Sequence, residues 1–142
     1  MDGHMYTGSC HCGNAKLAFR TSIAAPDFHP RACDCSFCTK HGAAYISDPR
    51  GSLTIESKEE LVEYRQGSGS ARMLLCSRCG VMLGALYDDG TRTYGTVNSG
   101  CIDGAAFGER QSVSPQQLSP GEKSDRWKRL WIADVEWKRP GA

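Results

Sequence analysis

The placement of the cysteines constrains this chain more than any other feature. They stand at positions 10, 12, 33, 35, 38, 76, 79 and 101, and seven of the eight fall into three short groups, "CHC", "CDCSFC" and "CSRC". Thiols this close in sequence point to disulfides in an oxidising compartment, and to metal ligands or redox groups in a reducing one. No stretch approaches the roughly 20 apolar residues that cross a bilayer. The start "MDGHMYTGSC" also lacks the apolar segment of a secretory signal. A cytoplasmic location with reduced cysteines is therefore expected. Met1–His4 has the look of a vector remnant, and nothing rests on it.

"SCHCG" and "CSRCG" each set two thiols a few residues apart and follow them with a glycine, Gly13 and Gly80. Two thiolates grip one ion only where the backbone turns tightly around them, and glycine accepts the positive φ of such turns. Each doublet therefore reads as a zinc knuckle at a hairpin tip. Together Cys10, Cys12, Cys76 and Cys79 supply the four thiolates of a closed, structural zinc site. Burial as small apolar side chains is the weaker reading, because chance seldom gives two doublets each capped by glycine. A thioredoxin-like role for "CSRC" is weaker still, since no βαβ pattern surrounds it.

With that site closed, Cys33, Cys35 and Cys38 are left as a group of three. Catalytic zinc keeps three protein ligands and leaves the fourth position to water or substrate. Three thiolates leave one net negative charge on a divalent ion, which suits a soft, exchangeable sulfur ligand. The odd count is the functional signal. Two alternatives stay open: Cys101 or His41 closes this site as well, which would give a zinc-stapled, non-catalytic binding module with two structural metals. Asp34 reads as a turn residue capping nearby N–H groups ahead of a proton carrier, and His41 is evenly placed between a surface position and that role. Tyr45 and Phe37 are expected to pack around the zinc turn, and Cys101 to be a buried thiol. Arg31 or Lys40 can attract an anionic substrate.

In "NAKLAFR" (14–20), Ala15, Leu17 and Phe19 share one face against Lys16, Ala18 and Arg20, the alternation of a half-buried strand. Short β-prone runs follow at 52–56, 61–65, 72–76, 81–87 and 92–98, bounded by Gly, Ser and Pro. Loops are expected at 20–32, 47–52, 66–71 and 103–124, the last a surface loop or flap. Helical periodicity is faint, and confined to "EKSDRWKRLW". The expected fold is mostly β, an antiparallel, zinc-stapled single domain over 1–142 with short helical turns. Seventeen basic and sixteen acidic residues are well mixed, for a net charge of +1. A nucleic-acid partner would call for a basic stripe. The one basic-aromatic stretch, "DRWKRLWIADVEWKRPGA", also carries acids and reads as a closing strand or helix.

The ordered combination "GSCHCGNAKLAFR", "CDCSFCTKHGA", "RMLLCSRCGVMLG" and "TVNSGCIDG" resembles the glutathione-dependent formaldehyde-activating enzyme family, from about Tyr6 to Asp103. Beyond that the tail "SPGEKSDRWKRLW" departs from the family pattern. The resemblance implies a β-tent fold with a structural zinc on Cys10, Cys12, Cys76 and Cys79 and a catalytic zinc on Cys33, Cys35 and Cys38. It implies a carbon–sulfur lyase joining glutathione to formaldehyde, with a small thiol and an aldehyde as partners, and a monomer or homodimer with neither nucleic acid nor membrane.

Overall fold

The computed structural model describes residues 3–140. In chain order the elements begin β1 (His4–Ser9), β2 (Ala15–Thr21), β3 (Arg31–Cys33), α1 (Ser36–His41), β4 (Ala44–Ile46) and β5 (Ser52–Ser57). They continue β6 (Val62–Arg65), β7 (Ala71–Leu75), β8 (Met82–Asp88), β9 (Thr93–Asn98), β10 (Gln111–Val113), α2 (Pro120–Leu130) and β11 (Asp134–Lys138). The strands form two open sheets, ordered β1-β2-β5-β11 and β10-β3-β4-β9-β8-β7-β6. This is the mostly β, tent-like architecture expected from the sequence. Met1 and Asp2, half of the suspected vector remnant, lie outside the described residues, whereas His4 pairs with Thr21 at the start of β1.

The alternation in β2 plays out as read. Ala15, Leu17 and Phe19 are buried, while Lys16 and Arg20 are exposed. Phe19, Leu53 and Ile55 from the smaller sheet meet Leu74, Leu83, Leu86 and Val97 from the larger one in one core. β8 runs through the larger sheet with Met82–Leu86 wholly buried, as a strand covered on both faces should be.

Two expected loops contain structure. The segment 20–32 ends in β3, and 103–124 holds β10 and the first turn of α2. β3 and β10 are three residues long, too short to carry an alternation, and β10 is a strand because it lies parallel to β3 with Val113 opposite Cys33. α2 begins with a capping box: the Ser119 hydroxyl accepts from Glu122 N–H at 3.2 Å, and Glu122 accepts from Ser119 N–H at 2.8 Å. The basic-aromatic tail then supplies both a helix and a strand, with β11 parallel to β5. The sheets are thus antiparallel apart from the β3–β10 and β5–β11 pairs.

β1 bridges to Ile102 through Gly8, where the backbones touch. A Cβ added at Gly8 would fall 1.9 Å from the Cys101 carbonyl oxygen, whereas at Gly100 the nearest atom would be 3.6 Å away. Gly8→Ala is expected to cost about 1–3 kcal/mol, the range of overpacked cores, and Gly100→Ala much less. Paired denaturant melts check this.

Candidate metal centre

Cys10 and Cys12 occupy the turn joining β1 to β2, and Cys76 and Cys79 the turn joining β7 to β8. Both are hairpin tips, and Gly13 and Gly80 take φ of +83° and +79° there, as the turns require. The four Sγ atoms lie within 4.8 Å of one another. Cys12 Sγ sits 3.7 Å from Cys10 Sγ and 3.6 Å from Cys76 Sγ. A tetrahedron of sulfurs about 2.3 Å from a central ion has edges of about 3.8 Å, so the donors fit a metal. Each hairpin belongs to a different sheet, so an ion here would join the two.

The backbone prepares these sulfurs to carry charge. Cys76 Sγ accepts from the N–H groups of Arg78 and Cys79 at 3.3 and 3.4 Å, and Cys10 Sγ from Ala15 N–H at 3.3 Å. Buried Asn14 donates to Cys76 Sγ at 3.5 Å while its carbonyl accepts from Glu59 N–H at 2.8 Å. Burial pushes the Cys76 thiol up, but these donors outweigh it and hold it at about 6. The Asn14 backbone N–H pulls Cys12 down, yet desolvation and the neighbouring sulfurs carry it up to about 11.

The second cluster is local. Cys33 ends β3, Cys35 is the N-cap of α1, and Cys38 lies within that helix. The turn expected from the spacing is thus a short helix, begun by a ligand: Cys35 Sγ accepts from Cys38 N–H at 3.4 Å, the part an N-cap oxygen usually takes. The three Sγ atoms also lie within 4.8 Å of one another, close enough to share an ion. Hydrogen bonding with Cys38 holds Cys33 down at about 6 against the effect of burial, and the same contact pushes Cys38 up. Tyr45 does more than pack: its hydroxyl oxygen lies 3.0 Å from Cys38 Sγ. Burial keeps that phenol protonated.

The three thiols open on a cavity of about 330 Å³, the size of a small-molecule site. Its other walls come from β3 (Arg31), the turn after β6 (Gln66, Gly67) and α2 (Lys123, Arg126, Trp127). Trp127 and Trp131 stack 5.1 Å apart along the α2 side. Arg126, Lys123 and the tryptophans escaped the sequence reading because nothing local ties "SDRWKRLW" to cysteines some 90 residues earlier.

Other sequence candidates fall elsewhere. Cys101 is buried and donates to the Met82 carbonyl at 3.4 Å, and burial pushes it up to about 11. His41 packs tilted against Phe37 with ring centroids 4.6 Å apart, outside both clusters, and Lys40 is exposed. Neither Cys101 nor His41 thus joins the three thiols among the described residues. Asp34 caps no N–H. It accepts from the Ser114 hydroxyl and from Gln116 Nε2, the latter at 3.0 Å, and so holds the β10 segment against the cluster.

Two open sheets carrying a four-thiol and a three-thiol cluster define a cysteine metal-site β protein. The chain matches the glutathione-dependent formaldehyde-activating enzyme family over residues 5–120 and belongs to it. It is also similar in fold to a crystal structure of a Rhodobacter sphaeroides protein, with a TM-score of 0.51 at 23% identity. That match covers 92% of this chain and 98% of the other. No described helix is long and apolar enough to cross a membrane.

Asn14→Ala is expected to weaken metal binding at the four-thiol cluster about 10- to 100-fold, as loss of a ligand's supporting hydrogen bond does. Chelator competition measures it. Cys33 and Cys76 ionise near 6 when folded against an ordinary 9.0, so their stabilisation is complete above pH 9 and lost as pH falls through about 6. Cys12 and Cys101, raised to about 11, act in the opposite sense: their stabilisation is complete below pH 9 and lost as pH rises through about 11. The metal-free protein should therefore gain stability from pH 6 to 9 and lose it above, as denaturant melts across that range would show.

Proposed function

We propose that this chain is a zinc-dependent carbon–sulfur lyase, joining a thiol such as glutathione to a small aldehyde and splitting the adduct in reverse. Cys10, Cys12, Cys76 and Cys79 hold a structural zinc, and Cys33, Cys35 and Cys38 a catalytic one. One observation carries this reading: three sulfurs converge beside a cavity of substrate size, with no fourth Cys, His, Asp or Glu grouped with them among the described residues. The family name supplies the substrate class.

Cys33, Cys35 and Cys38 would hold the zinc, which when bound would take a soft sulfur and lower that sulfur's pKa. The protein's own groups do the rest. With Cys38 a thiolate, the Tyr45 O–H donates to it, spreading its charge and fixing its position. Gln66 Nε2 lies 3.9 Å from Cys35 Sγ and acts the same way, more weakly. The thiol gives up its S–H proton, sulfur bonds to the carbonyl carbon, and the carbonyl oxygen takes a proton to become the hydroxyl of the adduct. Asp34 and His41 lie outside the cavity lining, so solvent at its mouth carries that proton. Trp127 and Trp131 screen the reacting atoms from bulk water on the α2 side.

Metal analysis should find two zinc per chain, with the three-thiol ion lost first to chelators. Cys35→Ser should lower adduct formation more than about 100-fold with the fold retained. Cys79→Ser should unfold the chain, because it opens the cross-sheet site. Turnover is read by NMR of formaldehyde and thiol, and folding by circular dichroism. Identical behaviour of the two variants would overturn the division of roles.

A further inference from the structure

From Asp103 to Arg126 no residue is buried, although Val113, Pro115 and Gln116 in this stretch line the cavity. Phe107 packs edge-on against Phe28 near its start, but beyond it neither Val113 nor Leu118 joins an apolar core. The far side is fixed separately. Arg31 donates to the Ser47 hydroxyl at 2.7 Å, and that hydroxyl donates to the Leu130 carbonyl at the end of α2. Between these anchors, segment 109–118 is held by polar contacts. Gln111 N–H donates to the Pro30 carbonyl at 2.9 Å, Arg110 to the Gly42 carbonyl at 3.0 Å, and β10 lies along β3. A segment with exposed hydrogen bonds and little apolar burial opens at lower cost than the sheets do.

Three further bonds converge on one residue, Asp34. Its N–H donates to the Val113 carbonyl at 3.0 Å. Its two carboxylate oxygens accept from the Ser114 hydroxyl and, at 3.0 Å, from Gln116 Nε2. Among the described residues it makes no ion pair, so the carboxylate is committed to this segment. Asp34 also stands directly between Cys33 and Cys35, two of the three clustered thiols. Holding those thiols at a common point restricts the backbone on both sides of Asp34 and aims its carboxylate. A docked segment restricts the same backbone from the other direction. When two events order one element, each makes the other less costly, and by the same factor.

We propose that Asp34 is a positioning residue that couples the three-thiol cluster to segment 109–118, so that this wall of the cavity docks most firmly when Cys33, Cys35 and Cys38 hold an ion. The inference rests on the metal reading of that cluster, and adds a gate by which access to the cavity follows metal occupancy.

The test uses full-length protein with both clusters zinc-loaded, and the same protein after a chelator has removed the three-thiol ion. Amide hydrogen exchange in 109–118, read by mass spectrometry, should slow at least about fivefold on loading, the low end of such couplings. Chelator competition reads zinc affinity, and the release step lost in Cys35→Ser identifies the three-thiol ion. Ser114→Ala/Gln116→Ala touches no sulfur. It should shrink the slowing at least about twofold and weaken the three-thiol step by the same factor, with the four-thiol step unchanged. Asp34→Ala should match it, and combining all three substitutions should add nothing more. Asp34→Asn keeps an acceptor for Gln116 and can donate to the Ser114 hydroxyl, so it should restore part of both effects. Circular dichroism confirms that each variant is folded. Exchange that is unchanged on loading, or a three-thiol affinity that survives Ser114→Ala/Gln116→Ala, overturns the proposal. So does a loss confined to the Asp34 variants, which marks a local effect of the carboxylate on the ion. Turnover separates this from the lyase reading. Coupling without adduct formation removes the lyase and leaves the gate, whereas adduct formation without coupling does the reverse.

Discussion

Four sulfurs meet at two hairpin tips, one from each of the two sheets that share the hydrophobic core. The β1–β2 tip belongs to one sheet and the β7–β8 tip to the other, and Cys10, Cys12, Cys76 and Cys79 bring them to a common point. Each tip is organised for this before any ion arrives. The glycines turn the chain, backbone N–H groups point at sulfur, and Asn14 ties Cys76 to the backbone at Glu59. The cost of gathering four thiols is met locally, and an ion there would hold the sheets at their ends as well as through their shared apolar faces.

The second cluster rests on a different physical basis. Its three sulfurs come from one strand end and one short helix of the same sheet, so an ion there would bridge nothing distant. That is why it can remain open on one side. A cluster that fastens two sheets is best when saturated. An ion on one that fastens nothing would be free to exchange a ligand, and a cavity lies beside it.

Much of this was legible in the sequence because spacing within a few residues encodes local geometry. The doublets, their glycines, the group of three and six of the strands stand where their patterns put them. What was not legible depends on partners far along the chain. β3 and β10 are strands only through each other. Asp34 has the sequence context of a turn residue, and its partners Ser114 and Gln116 lie some 80 positions away. Tyr45 reads as packing until its hydroxyl is seen beside Cys38. The capping box Ser119-x-x-Glu122 lies inside a Pro- and Ser-rich stretch that looks like a loop.

The order of these parts along the chain carries a consequence for biogenesis. Every sulfur donor of both clusters has been synthesised by Cys79, whereas the cationic wall of the cavity arrives with α2 and the edge strand β11 comes last. A nascent chain therefore holds its complete set of clustered thiols while the cavity beside Cys33, Cys35 and Cys38 is still missing a side. The ribosome delivers the sulfurs first and the wall that encloses them afterwards.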